Sequence, residues 1–114
     1  MKLYCSVYWD EQLTDEKEKI IQKIKKNDFK LVKYFVCLTE SEMNHMEIFQ
    51  SFLMMQKRVS KSNKLLVGIA GSYLGALEIV EKITQEVYDK TNNVDIRRYI
   101  MNKQEEFEKE TNRS

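Results

Sequence analysis

All three glycines of the chain, Gly68, Gly71 and Gly75, lie in one short stretch between an apolar run and a regular helical pattern. Free N–H groups at the start of a helix can hold a phosphate or a carboxylate. No lysine follows Gly71 as a P-loop requires, and the spacing is not that of a dinucleotide fingerprint. Anion or nucleotide binding at Gly71 and Ser72 is therefore one hypothesis. We favour the structural alternative, in which Gly71 makes a strained turn, Ser72 caps the helix, and Gly75 lets the helix pack close to the sheet.

His45 is the only histidine, and three acidic residues lie near it in sequence, Glu40, Glu42 and Glu47. A metal site needs several ligands at helix or hairpin spacing, and no second histidine or paired cysteine supplies them. No serine is spaced so that His45 would activate it as a nucleophile. We therefore predict that the protein is not an enzyme and has no metal site and no cofactor.

Two segments of the chain are strongly basic. Lys57, Arg58, Lys61 and Lys64 lie in a stretch without an acidic residue, and the segment 17–33 has seven lysines against two acids. Such patches can steer nucleic acid or an acidic partner if they meet on one face. Ordinary solvated helix surface is the alternative, and we favour it because no recognition motif accompanies the charges.

An excess of apolar residues marks the segment 49–55. Phe49, Phe52, Leu53, Met54 and Met55 are too many for one buried stripe of a short helix. Methionine and phenylalanine together suit an adaptable protein contact. Phe49, Phe52, Met54 and Met55 are therefore predicted to form a surface for self-association, with burial on several sides as the alternative.

Composition limits the class of protein further. The 114 residues have a net charge of +1, 42% hydrophobic residues and 32% charged residues, which fits one globular domain. No apolar stretch is long enough to span a membrane, and the N-terminus has no signal-peptide pattern. We expect a cytoplasmic protein with reduced cysteines, Cys5 and Cys37, which could face each other across a sheet.

These residues lie on a predicted alternation of strands and helices. Apolar, β-branched and aromatic runs predict strands at 3–9, 30–38 and 64–70. Helical periodicity predicts one helix from a Thr14 cap to Asn27 and a second that follows Ser72 and ends at Thr91 to Asn93. A last helix starts near Val94, and we expect its charged end, 104–114, to fray.

The segment 45–60 allows two interpretations. A short strand at 45–49 could be followed by a helix over 52–59 that Ser51 caps, or one continuous helix could start at Asn44. With the strand, which we favour, the order predicts an α+β fold: a ferredoxin-like split β-α-β sheet with two added C-terminal helices. Without it, the order predicts a small three-stranded parallel α/β unit. Residues 1–103 would form the single domain.

The stretches Val67-Gly68-Ile69-Ala70, Ala76 to Val80, Glu86-Val87-Tyr88 and Val94 to Ile100 resemble small uncharacterised proteins of Gram-positive bacteria associated with mobile genetic elements. The resemblance covers about residues 64–101 and implies a bacterial cytosolic setting. We expect a non-enzymatic interaction or accessory module that self-associates and binds a protein partner. A nucleic-acid-binding accessory protein and an anion or nucleotide binder are the alternatives.

Overall fold

The computed structural model describes residues 2–26, 28, 34–39, 46–55 and 64–112, with the backbone alone at 54 and 55. The strands are β1 (Lys2–Trp9), β2 (Tyr34–Leu38), β3 (Met46–Gln50) and β4 (Leu65–Ala70). The helices are α1 (Lys17–Lys25), α2 (Tyr73–Thr91) and α3 (Ile96–Asn112). Two 3-10 helices, Glu11–Glu16 and Ser51–Met55, follow β1 and β3.

The four strands form one mixed sheet in the order β1-β4-β2-β3. β4 runs parallel to β1 and antiparallel to β2, and β2 is also antiparallel to β3. The predicted α+β fold is confirmed, and the sheet with its C-terminal helices is compatible with the ferredoxin-like expectation. The three-stranded parallel alternative is wrong, and so is one continuous helix from Asn44, because residues 46–50 pair with β2 along their whole length.

Each face of the sheet carries its own hydrophobic core. On the face that we call the α2 face, α2 and α3 bury residues of β1, β2 and β4, among them Tyr4, Val36 and Val67. On the opposite α1 face, Ile20 and Ile24 of α1 pack on the alternate residues of the strands. The expectation that Cys5 and Cys37 could face each other is wrong, because Cys5 packs on the α2 face and Cys37 on the α1 face.

An irregular stretch of β1 anchors α3. Leu3 pairs with Leu66 and Tyr8 with Gly68, so the residues between Leu3 and Tyr8 stand against a single residue of β4. Within this stretch the Cys5 N–H donates to Oε1 of Gln104 at 2.8 Å, and Gln104 is buried. The helix runs from Ile96 to Asn112, and this contact joins its middle to β1.

Asp10, at the end of β1, starts the next helix in place of the predicted Thr14. Its Oδ1 accepts a hydrogen bond from the Gln12 N–H at 3.1 Å, which caps the first 3-10 helix. The Thr14 hydroxyl instead donates to the Glu11 carbonyl at 2.8 Å. Thr14 lies within the 3-10 helix and cannot cap α1, which begins only at Lys17. The predicted end of this helix at Asn27 lies outside the described residues.

The same carboxylate reaches the turn between β4 and α2. Asp10 Oδ2 accepts from the Gly71 N–H at 3.1 Å, and a Cβ at Gly75 would lie 2.3 Å from Oδ2. Ser72 caps α2 as predicted, since its Oγ accepts from the Gly75 N–H at 3.0 Å. The strained turn predicted at Gly71 is wrong, because its φ is not positive and a Cβ there would meet only ordinary contacts from 3.6 Å.

These distances predict different costs for two alanine substitutions. Gly75→Ala should lower the free energy of unfolding by about 1–3 kcal/mol, because the new methyl group would displace the Asp10 carboxylate. Gly71→Ala should change it by less than about 1 kcal/mol, since the backbone and the space both tolerate alanine. Urea denaturation measures both free energies of unfolding. Equal costs would show that the short distance to Asp10 is not the reason for a glycine at position 75.

Candidate interaction surface

One flank of α2 turns away from α3 and lies over the β2–β3 side of the sheet. Glu86 marks the other flank, because it contacts Tyr99 of α3 and Tyr8 of β1. On the flank in question, the rings of Tyr73 and Tyr34 meet edge to face with centroids 5.8 Å apart. α2 therefore lies over β4 and β2 with this flank facing β3.

No charged residue interrupts this flank. Tyr73, Leu77, Val80 and Thr84 follow one another at spacings of four, three and four, which places them in one row along the helix. Tyr73 is 54% and Leu77 39% exposed. Both side chains therefore leave apolar surface in contact with water, side by side on the helix. The outward surface of α2 carries Glu78, Lys82, Gln85 and Asp89. Glu81 borders the row, one turn after Leu77, and Lys90 lies on the Glu86 flank.

β3 supplies the floor of a groove beside this flank. Among the described residues it is the outermost strand, and its Met46 and Ile48 lie half-buried against the α2-face core. Its one charged residue, Glu47, belongs to the opposite face, where it pairs with Lys64. We define the α2/β3 groove by six residues: Tyr34, Met46, Ile48, Tyr73, Leu77 and Val80.

The structure describes the side chains of two of the four residues predicted for self-association, Phe49 and Phe52. Phe49 packs against the α1-face core, with Lys64 Nζ 5.0 Å from its ring centroid. Phe52 is 57% exposed and lies two residues after Gln50, which pairs with Tyr34 at the Tyr73 end of the groove. The side chains of Met54 and Met55 lie outside the described part of the chain.

The groove was not predicted, because the broad apolar stripe of α2 does not by itself reveal which of its residues are buried. The stripe runs from Ala76, Ile83 and Val87, which are buried, to Tyr73 and Leu77, which are exposed. Its width was the available signal, because a helix packed on one sheet buries a narrower stripe.

The predicted basic patch is described at one residue only. Lys64 pairs with Glu47, whereas Lys57, Arg58 and Lys61 lie outside the described residues, as does His45. In the other basic segment, Lys23 lies 4.0 Å from the Asp28 carboxylate. Nothing in these contacts gathers the two segments onto one face.

The glycine turn already holds a carboxylate of the protein itself. The Gly71 N–H donates to Asp10 and the Gly75 N–H to Ser72 Oγ, so two of the donors near this helix start are engaged. An external anion would have to compete with Asp10, which is 8% exposed. The geometry therefore favours the structural interpretation of Gly75 and Ser72.

The titratable groups with shifted pKa values join β1, α2 and α3. Glu86 Oε2 accepts from the Tyr8 hydroxyl at 2.5 Å and from the Tyr99 hydroxyl at 3.0 Å. Burial raises the pKa of Glu86, but these two hydrogen bonds and the charges of Lys90 and Lys103 outweigh it and lower the pKa overall. Burial and the bond to Glu86 raise the pKa of Tyr8.

A polar groove of about 440 Å³ opens beside Tyr99, between the end of α2 and α3. Lys90, Arg98 and Lys103 line it together with Asp95 and Glu106. Because both signs of charge are present, the lining favours neither anionic nor cationic ligands.

Comparison with known proteins finds no match by family model, by curated sequence or by solved structure. No helix in the described part of the chain is long and apolar enough to cross a membrane. Within the same residues, no group of three or more histidine, cysteine, aspartate or glutamate side chains is placed to hold a metal ion.

The lowered pKa of Glu86 predicts how acid affects stability. A carboxylate whose pKa is lower in the folded state stabilises the fold above its unfolded pKa and loses that effect as the pH falls. Glu86→Gln should therefore cost about 1–2 kcal/mol at neutral pH, and the cost should shrink below about pH 4.5. Urea denaturation from pH 3 to 7 tests this, and a cost independent of pH would contradict it. Glu81→Gln, on the exposed surface of the same helix, is the control.

Proposed function

We propose that the protein is a non-enzymatic interaction module that binds a protein partner in the α2/β3 groove. The observation that supports this is the uncharged row Tyr73, Leu77, Val80 and Thr84 beside the half-buried Met46 and Ile48. A row of this kind in water is typical of a contact surface.

The groove has enough apolar surface to contribute to binding. Full burial of a large apolar side chain is worth about 1.5–3 kcal/mol. Because Tyr73 and Leu77 are already partly covered, each has roughly 1 kcal/mol still to gain from a partner, and Ile48 and Met46 add to this. A partner with an apolar ridge would gain this energy without having to desolvate a charge in the groove.

The two alternative functions have less support. A nucleic-acid surface needs cations that face solvent together, and the described Lys64 is paired with Glu47. An anion site at Gly71 needs the N–H that Asp10 accepts from. The chemistry of the groove is apolar, which favours a protein partner over either ligand.

Site-specific photo-cross-linking tests the proposed function. We expect p-benzoylphenylalanine at position 77, in the cell that naturally makes the protein, to give defined protein adducts. The same residue at position 82 should give none, because Lys82 lies on the opposite, charged surface of α2. Mass spectrometry identifies the adducts, including any between two copies of the chain. Adducts equal at both positions, or none at 77, would exclude the groove as a binding surface.

A further inference from the structure

Resting on the proposed function, we infer that the groove receives α2 of a second copy of the chain. The two α2 helices would lie side by side and parallel, each over β3 of the other copy. A two-fold axis along the strand direction relates the copies, and the α2 faces of the two sheets look toward each other.

The dimensions of the groove suit a helix. α2 lies over β4 and β2, and strands are about 4.8 Å apart across a sheet. A second helix packed 8–10 Å from α2 would therefore lie about two strands further across, over β3. Such a helix would touch Met46 and Ile48 beneath it and the row Tyr73, Leu77 and Val80 beside it.

The row along α2 has the spacing by which two parallel helices pack. Tyr73, Leu77, Val80 and Thr84 occupy alternate d and a positions of a heptad, the positions that form the seam of a coiled coil. In a parallel pair related by a two-fold axis, Leu77 faces Leu77 of the second copy. The row on one copy is therefore complementary to the same row on another copy, which favours a second copy as the occupant of the groove.

The remaining exposed apolar residues of α2 fit the same arrangement. Leu74 is 66% and Tyr88 51% exposed, and both occupy the e position of this heptad, one place after Tyr73 and Val87, with the charged Glu81 at the e position between them. This position turns toward the sheet of the second copy, where Met46 and Ile48 lie uncovered by the described helices. In this arrangement the exposed side chains of Leu74 and Tyr88 gain apolar partners in the second copy.

The area is adequate for a stable contact. Large aromatic side chains bury about 150–250 Å² each when fully covered. The exposed parts of Tyr73, Leu74, Leu77 and Tyr88, with the half-buried floor, supply on the order of 500 Å² per copy on that scale. Polar side chains at the rim would have to supply the remainder of the ~800 Å² per partner that a standard interface buries.

Disulfide formation tests the register. In a Cys5→Ser background, Leu77→Cys should link two copies within minutes of mild oxidation, because the two substituted positions face each other. Leu74→Cys, equally accessible, should not, because it faces the other sheet. The native Cys37 should not form a disulfide under these conditions, because burial raises the pKa of its thiol to about 12. Equal linking at 74 and 77 would overturn the parallel pairing.

Sedimentation equilibrium of the purified full chain tests whether a second copy of the chain occupies the groove. We expect a dimer at micromolar concentrations, a dissociation constant raised at least tenfold by Leu77→Glu, and no change with Lys82→Glu. A wild-type chain that stays monomeric to about 1 mM overturns the second copy as occupant, and adducts from position 77 to a different protein would then still support the groove. Absence of any adduct at 77 overturns the proposed function itself.

Discussion

The Asp10 carboxylate is the contact on which the arrangement of the other elements depends. It ends β1, caps the following 3-10 helix through the Gln12 N–H, and binds the Gly71 N–H ahead of α2. A buried carboxylate requires donors on both oxygens, and these two backbone groups supply them. Because the helix start is positively polarised, the negative charge is favoured there as well. One side chain thus fixes where two helices begin relative to the β1–β4 pair.

The position of α2 decides which part of the sheet stays open. Asp10 draws the start of α2 toward β1, and Gly75 and Gly68 let it approach the carboxylate and β4 closely. At the other end, Glu86 and Gln104 tie α2 and α3 to β1. With both helices held to this side, the described helices leave the α2 face of β3 uncovered, and the groove is the consequence.

Local features were predictable from the sequence, and long-range ones were not. The Ser72 cap and the end of α2 near Asn92 are set by neighbouring residues, and the structure has both. The role of Asp10 does not follow from the sequence, because its partner Gly71 lies 61 positions away. The irregular register of β1 and the contact of Cys5 with Gln104 depend on tertiary packing, which residue types alone do not encode.

The same distinction applies to the candidate surface. Residue types predicted an apolar contact surface at 49–55, where Phe49 is half-buried against the α1-face core and Phe52 is exposed. The side of a strand on which a residue lies follows from register, and one step in register exchanges the two faces. For α2 the spacing was visible in the sequence, yet which half of its broad stripe is buried depends on where Asp10 and Glu86 hold the helix. The sequence pattern therefore indicates an excess of apolar residues, and the fold decides which of them are exposed.

The distribution of polar and apolar groups supports the proposed binding function. Groups with shifted pKa values attract attention as possible acids or bases. Here the carboxylate of Glu86 is held by two phenols from β1 and α3, so its interactions join structural elements. Asp10 is likewise engaged by backbone N–H groups. The carboxylates of Glu86 and Asp10 thus hydrogen-bond to other parts of the same chain. The surface formed by Tyr73 and Leu77, by contrast, is apolar and uncharged. A surface of that kind gains energy by excluding water against another apolar surface, which is the physical basis of association between proteins.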